Sequence, residues 1–236
     1  MSFVPVPASP TPNLNSSLLH LGCGLEAPGE WLNVDGSMQA TFARWPRLKM
    51  LLVKLRVYPK SQASIPWPLN VLRLDLRKPL PFPTGRFTGI YSSHTLEHLY
   101  RAEALKLAAE CHRVLRPGGI FRVVVPDLES AINRYFDRKA ETAPSVPAAD
   151  QLMRELLFYP EQPASGLLGV YHRLLGFHHH KWMYDSRSLI ILLERAGFSD
   201  VQARGCREGD LPGLEKIENS ARLESGAGIA VEARKM

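Results

Sequence analysis

A short apolar run, Leu18-Leu19-His20-Leu21, closes on Gly22-Cys23-Gly24, two glycines one residue apart. The run reads as a buried parallel strand. The glycines read as a tight turn in which missing Cβ atoms let a ligand lie against the backbone. In an open α/β sheet such a turn stands at the carboxyl end of a strand, where ligands bind. Only six residues, 25–30, then separate Gly24 from Trp31-Leu32-Asn33-Val34-Asp35, a second short strand ending in a carboxylate. A parallel crossover ordinarily takes a dozen or more residues, most often a helix. The first crossover helix is therefore expected to be missing or cut to a single turn.

The rest of the chain keeps alternating. Val71 to Asp75 is a third strand, again ending in Asp. A proline-rich loop, Leu80 to Arg86, leads to a fourth strand, Phe87 to Ser92. Leu96, Tyr100, Ala104, Leu107, Ala108, Cys111, Val114 and Leu115 recur at helical spacing and predict a helix over about 95–115. Pro117-Gly118-Gly119 stops it. Ile120 to Val125 is nearly continuous apolar sequence, as a central parallel strand should be. Asp127 starts a helix to about 138, and others are expected over about 149–158 and 186–196. Val201 to Arg204 and Ile229 to Arg234 are the last strands. Five strands alternating with helical segments, then two late strands, give a doubly wound α/β sheet. One domain is expected over 16–236, behind a flexible proline-rich leader at 1–15.

Residues 37–70 have a different character. From Met38 to Lys60 there are six basic residues (Arg44, Arg47, Lys49, Lys54, Arg56 and Lys60) and no acidic one. Phe42, Trp45, Leu48, Leu51, Leu52, Leu55 and Tyr58 are interleaved with them. One or two short amphipathic helices are expected, either as a lid with a solvated basic face or as a surface for an anionic substrate or acidic lipid headgroups. The net charge of +6 permits an acidic partner without requiring one. Cys23, Cys111 and Cys206 are scattered and odd in number. That argues for a reducing compartment and against a disulfide framework or zinc cluster of cysteines. Without a signal-peptide pattern or an apolar run of membrane-spanning length, a cytoplasmic location is expected.

The ordered set of motifs resembles the class I S-adenosylmethionine-dependent methyltransferases, and within them the group with a type-11 methyltransferase domain. The stretches that carry the resemblance are Leu19 to Gly24, Leu32 to Asp35, Leu74-Asp75-Leu76 with Leu80-Pro81-Phe82, Tyr91 to His98, Arg113 to Gly119, Val125-Pro126-Asp127 and Leu192 to Phe198. Two departures stand out. His20 lies two residues before Gly22 where the family often has an acidic residue, and the first helix is reduced. The resemblance implies a Rossmann-like seven-stranded sheet, mostly parallel with an antiparallel last strand, and S-adenosylmethionine as cofactor. The dehydrogenase alternative fails, because G-x-G-x-x-G is absent and Ala27 stands at the third glycine's position.

The resemblance assigns Gly22, Cys23 and Gly24 to the amino-acid end of the cofactor, with Cys23 filling space and not attacking. Asp35 is placed to accept the ribose hydroxyls, or else caps local backbone. Asp75 is implied at the adenine amino group, or is a turn residue; Leu76 would give the ring a backbone contact and an apolar surface. Ser92, Ser93 and His94 follow the fourth strand and face cofactor and acceptor. His94 is the first candidate for a general base, since an unperturbed imidazole suits physiological pH. It could equally hydrogen-bond cofactor or backbone. Glu97 and His98 either line the pocket or cap a helix. Asp127 reads as an N-cap rather than an acid. His178, His179 and His180 cannot all share one face, so no metal site is expected there; with the segment at about 139–184 they read as lid or acceptor recognition.

The function expected is methyl transfer to a small-molecule or glycan-like acceptor, more readily at oxygen than at nitrogen or carbon. Nucleic acid is disfavoured, since no Pro-Pro-aromatic motif or recognition helix is present. The alternative is a non-catalytic module of the same fold, with peripheral membrane contact through the basic insertion.

Overall fold

The computed structural model describes residues 11–55, 58, 60–141, 146–157 and 179–236. Its strands are β1 (Leu18–Leu21), β2 (Leu32–Asp35), β3 (Val71–Arg73), β4 (Phe87–Ser93), β5 (Leu115–Pro126), β6 (Ser199–Arg204) and β7 (Gly228–Arg234). The helices among the described residues are α1 (Met38–Arg44), α2 (Pro46–Lys54), α3 (Lys60–Ala63), α4 (Arg101–Val114), α5 (Leu128–Lys139), α6 (Ala148–Leu156), α7 (Ser186–Arg195) and α8 (Leu214–Ile217). Residues 1–10 of the expected leader and 158–178 of the expected lid, His178 included, lie outside the described residues.

The strands form one seven-stranded sheet in the order β3-β2-β1-β4-β5-β7-β6. β1 runs parallel to β2 and β4, β2 to β3, and β4 to β5. β7 is antiparallel to both of its neighbours. The order reverses at β1, so the crevice outside the carboxyl ends of β1 and β4 is the topological switch point where open sheets bind ligands.

Side-chain alternation divides the strands between two cores. On one face Leu19, Leu21, Ile90, Phe121, Val123 and Val125 pack under α4 and α7, through Ala104, Leu107, Ala108, Cys111, Leu189, Leu192 and Leu193. On the other, Trp31, Tyr91, Ile120 and Val124 pack against Leu211, Leu214 and Ile217. Each fully buried Leu or Phe stabilises the fold by about 1.5–3 kcal/mol.

β1 and β2 pair in parallel across a connection that holds no helix, as the spacing requires. Side-chain amides hold that loop instead: Asn33 Nδ2 donates to the Pro28 carbonyl at 2.8 Å, and Asn70 Nδ2 to that of Ala27 at 2.9 Å. His20, the departure before the glycines, is a core residue. It packs on Trp31 and Tyr91, and its Nδ1 lies 3.3 Å from Asn33 Oδ1. Burial lowers its pKa to about 3, so it is neutral.

Several boundaries differ from the sequence expectation, among them that of β5, which begins at Leu115 and includes Pro117-Gly118-Gly119. The helix expected over 95–115 is split. Leu96–His98 form a 3₁₀ turn, the chain extends through Leu99, and α4 begins at Arg101. Glu103 Oε2 accepts from the Tyr100 amide at 3.0 Å and fixes that start. Tyr100, placed on the apolar stripe, is exposed and holds the Lys181 ammonium 4.8 Å from its ring centroid. β3 ends at Arg73, although the Leu74 amide still donates to the Asp35 carbonyl at 3.1 Å. Among its described residues the insertion contains three short helices, not one or two.

Candidate functional site

The glycine turn leaves β1 with Gly22 at φ +65° and Gly24 at φ +53°. The two glycines do different work. A Cβ on Gly22 would meet Thr95 Oγ1 at 2.0 Å, so its missing side chain is filled by the β4 turn. A Cβ on Gly24 would meet nothing within 4 Å, so this glycine is the one open to a ligand. Cys23 between them is buried against Ala40 and Val71, and burial pushes its thiol above the usual range. It fills space in that small cluster.

Asp35 ends β2 and ties the turn down. Its Oδ2 accepts from the Gly24 amide at 2.9 Å and its Oδ1 from the Ser37 amide at 2.7 Å. Carboxylate oxygens carry further lone pairs, so ribose hydroxyls remain acceptable partners. Asp75 stands beyond β3 and is gripped by Arg77, with Nε on Oδ1 and Nη2 on Oδ2, each at 2.8 Å. Those bonds hold its carboxyl below the usual range. Leu76 is buried in the main core.

At the end of β4, Ser92 is wholly buried and its Oγ has no partner. Ser93 Oγ accepts from Arg222 Nη1 at 3.0 Å, and Arg222 Nη2 lies 3.4 Å from Glu26 Oε1. The chain then turns through His94 with φ +50°, left-handed backbone that is strained in a residue with a branched-out ring and tends to mark functional sites. His94 Nδ1 lies 3.2 Å from Glu97 Oε1, and its Nε2 has no partner. The Glu97 side chain is wholly buried, and neither of its oxygens has a hydrogen bond.

The 180–184 segment closes this side. Lys181 and Trp182 amides donate to the Glu97 carbonyl at 2.7 and 3.3 Å, and the Tyr184 carbonyl accepts from the Leu128 amide at 3.0 Å. Asp127 is the N-cap of α5, accepting from the Glu129 amide at 3.0 Å, as its position suggested. The structure therefore gathers Ser92, Ser93, His94, Glu97 and His98 at the carboxyl end of β4, beside the turn bearing Gly24 and Asp35. Asp75 is committed to Arg77. Thr95 and Arg222 are partners that sequence reasoning did not single out for this site, whereas His180 and Tyr184 lie in the segment expected as lid or acceptor recognition. A hollow of about 420 Å³ lined by Ala203, Arg204, Cys206 and Ile229 includes none of them.

Residues 19–123 match the model of a family described as a methyltransferase domain. The chain is 26% identical over 170 residues to an uncharacterised methyltransferase of Synechocystis, covering 71% of this chain and 66% of that relative's length. Among solved structures it is similar to S-adenosylmethionine-dependent methyltransferases of Thermotoga maritima (16% identity, 93% of this chain and 82% of the other, TM-score 0.46) and Archaeoglobus fulgidus (18%, 92% and 85%, TM-score 0.47). With the matched domain laid on a sheet of this order and its glycine turn at the switch point, these likenesses support a class I S-adenosylmethionine-dependent methyltransferase.

Proposed function

We propose that the protein transfers a methyl group from S-adenosylmethionine to a hydroxyl of a small-molecule or glycan-like acceptor, with His94 as the base, in the reducing cytoplasm that three free cysteines suit. The observation that carries this reading is His94 itself: strained at the carboxyl end of β4, with Nδ1 toward a buried carboxylate and Nε2 unpartnered.

The residues present fit the cofactor. The open face of Gly24 is a cradle that a Cβ would fill, and the unpartnered Ser92 Oγ is a buried polar atom lacking a ligand. When bound, S-adenosylmethionine supplies a methyl group already activated on a sulfonium. The chain's own task is alignment, which can contribute roughly 7–11 kcal/mol toward a barrier. Gly24 and Asp35 would hold the amino-acid and ribose ends. Glu97 positions the imidazole through Nδ1, leaving Nε2 to take the hydroxyl proton as the new oxygen–carbon bond forms.

The test is turnover of radiolabelled S-adenosylmethionine over a panel of hydroxylated acceptors, alongside calorimetry of cofactor binding. His94→Ala should lower turnover at least a hundredfold and leave cofactor affinity within about threefold. Equal turnover would remove His94 as the base, and acceptors modified only at nitrogen or carbon would remove the hydroxyl reading.

A second reading concerns where the enzyme works, and rests on α2. No residue of α2 is buried. Trp45, Leu48, Met50, Leu51 and Leu55 are exposed beside Arg47, Lys49 and Lys54, with no acidic residue between them. That composition suits the interface of an anionic membrane. Sedimentation with phosphatidylglycerol vesicles, compared with neutral ones, tests it; equal or absent binding to both would refute it. Among the described residues no helix is long and apolar enough to cross a membrane.

A further inference from the structure

Beside the candidate base is a second cluster that shares only Glu97 with the proposed methyl transfer. Glu97 and His98 lie on the 3₁₀ turn after β4, and His180 comes from the segment laid against that turn. One ligand atom of each lies within 4.8 Å of the others. Glu97 is the anomaly in the group. Its side chain has no exposed surface, no hydrogen bond to either oxygen and no Lys or Arg ion pair among the described residues. A buried carboxylate in that condition costs several kcal/mol unless a cation or proton accompanies it.

The two imidazoles are arranged as metal ligands usually are. A ligating histidine ordinarily gives its other ring nitrogen to a backbone carbonyl or carboxylate, which fixes the ring. His98 Nδ1 lies 3.4 Å from the His179 carbonyl, leaving Nε2 available. His180 bonds the backbone of Leu156, while its Nδ1 is buried without a partner. The two rings stand edge to face with centroids 5.0 Å apart. The Lys181 amide bond to the Glu97 carbonyl holds the two donor segments together without help from an ion.

We propose that Glu97, His98 and His180 form a binding site for a divalent transition-metal ion of the zinc type. Two imidazoles and one carboxylate are the donor set of zinc sites that keep an open coordination position. Zinc binds such donors more tightly than manganese or ferrous iron does. Bonds of about 2.0–2.2 Å place tetrahedral ligand atoms roughly 3.4 Å apart, so the three side chains would draw in by about 1 Å. The Glu97 oxygen not facing His94 would serve as ligand. An ion there would take an acceptor oxygen in its open position and lower that oxygen's pKa. This last role, unlike the site, rests on the methyl-transfer reading.

The test uses the full-length protein, stripped with chelator and titrated with zinc chloride by calorimetry. Metal analysis gives the stoichiometry after desalting, and cobalt substitution gives the visible spectrum. One ion per chain, with a cobalt spectrum free of thiolate charge-transfer bands, is expected. Glu97→Gln and His180→Ala should each weaken zinc at least tenfold while circular dichroism stays unchanged. Absence of stoichiometric zinc, a thiolate band implicating a cysteine, or wild-type affinity in both variants would overturn the site. If a variant does not fold, the wild-type stoichiometry and cobalt spectrum still decide. Cofactor binding, measured separately on stripped protein, distinguishes failure of the metal site from failure of the methyltransferase reading. Wild-type turnover by stripped protein would remove the catalytic role alone.

Discussion

The two glycines of the turn make a prediction that separates packing from ligand approach. Gly22 and Gly24 share left-handed backbone, φ +65° and +53°. Alanine in that region costs about 1–2 kcal/mol at either position. Only Gly22 is crowded: its Cβ would stand 2.0 Å from Thr95 Oγ1 and 2.9 Å from Thr95 Cγ2. Overpacking of that kind costs about a further 1–3 kcal/mol. Gly22→Ala should therefore destabilise by about 2–5 kcal/mol and Gly24→Ala by about 1–2 kcal/mol. Urea unfolding checks both. The Thr95→Ala background removes Oγ1 and Cγ2 but keeps Cβ at 3.0 Å, so it should return most of the overpacking part, giving a coupling of about 1–3 kcal/mol in a double-mutant cycle. Calorimetry with demethylated cofactor should show the reverse ranking, with Gly24→Ala weakening binding tenfold or more, about 1.4 kcal/mol. Equal costs at the two positions, no coupling to Thr95, or unchanged binding in Gly24→Ala would refute this division of labour.

Asp35→Ala removes the acceptor of two backbone amides as well as the candidate ribose ligand, so it should weaken cofactor tenfold or more and also destabilise by about 1–3 kcal/mol; unchanged affinity would take Asp35 out of the site. Arg122 and Glu218 are both wholly buried and paired at 2.8 Å, with Arg122 also donating to the Glu208 and Gly205 carbonyls. Glu218→Gln should cost about 3–5 kcal/mol by urea unfolding, and a cost below about 1 kcal/mol would show that the pair is relieved by something else. Asp185 caps α7 through the Ser188 amide at 2.7 Å, which holds its carboxyl below the usual range. Because the folded pKa is depressed, the cap stabilises above the unfolded carboxylate pKa and is lost as pH falls through the folded one. Asp185→Ala should cost about 1 kcal/mol at neutral pH, and the gap from wild type should close in acid; a pH-independent gap would contradict the assignment.

The sheet was legible because its strands are short apolar runs that end on glycine or polar residues at turn positions. The parallel β1–β2 pair and its missing helix follow from spacing alone. Asp35 ends β2 as its position implied, whereas β3 stops two residues short of Asp75. What was not legible depends on long-range partners. Nothing local tells Gly22 from Gly24; the difference is Thr95, which β4 brings across. Asp75 looked like a free strand-end carboxylate, but Arg77 two residues later claims both oxygens. Arg122 interrupts an otherwise apolar strand and was read through, because its buried partner lies 96 residues away. Three consecutive histidines argued against a shared metal. The grouping of His180 with Glu97 and His98 needed the segment's docking on the β4 turn.

The lost crossover helix has a consequence for how the chain diversifies. The wall beside the glycine turn is built by the insertion after β2: Ala40 of α1 packs with Cys23 and Val71, and Arg44 Nη2 fastens α1 to the Val71 carbonyl at 3.0 Å. A crossover helix is constrained at both ends by the strands it joins and cannot change length or tilt without shifting them. The insertion joins β2 to edge strand β3, which has no second neighbour in the sheet to be displaced. It can lengthen, shorten or exchange its outward face while β1, β4 and the carboxylate of Asp35 keep their register. The fold thus separates the glycine turn and its Asp35 tether from a flank whose α2 contributes no residue to the core.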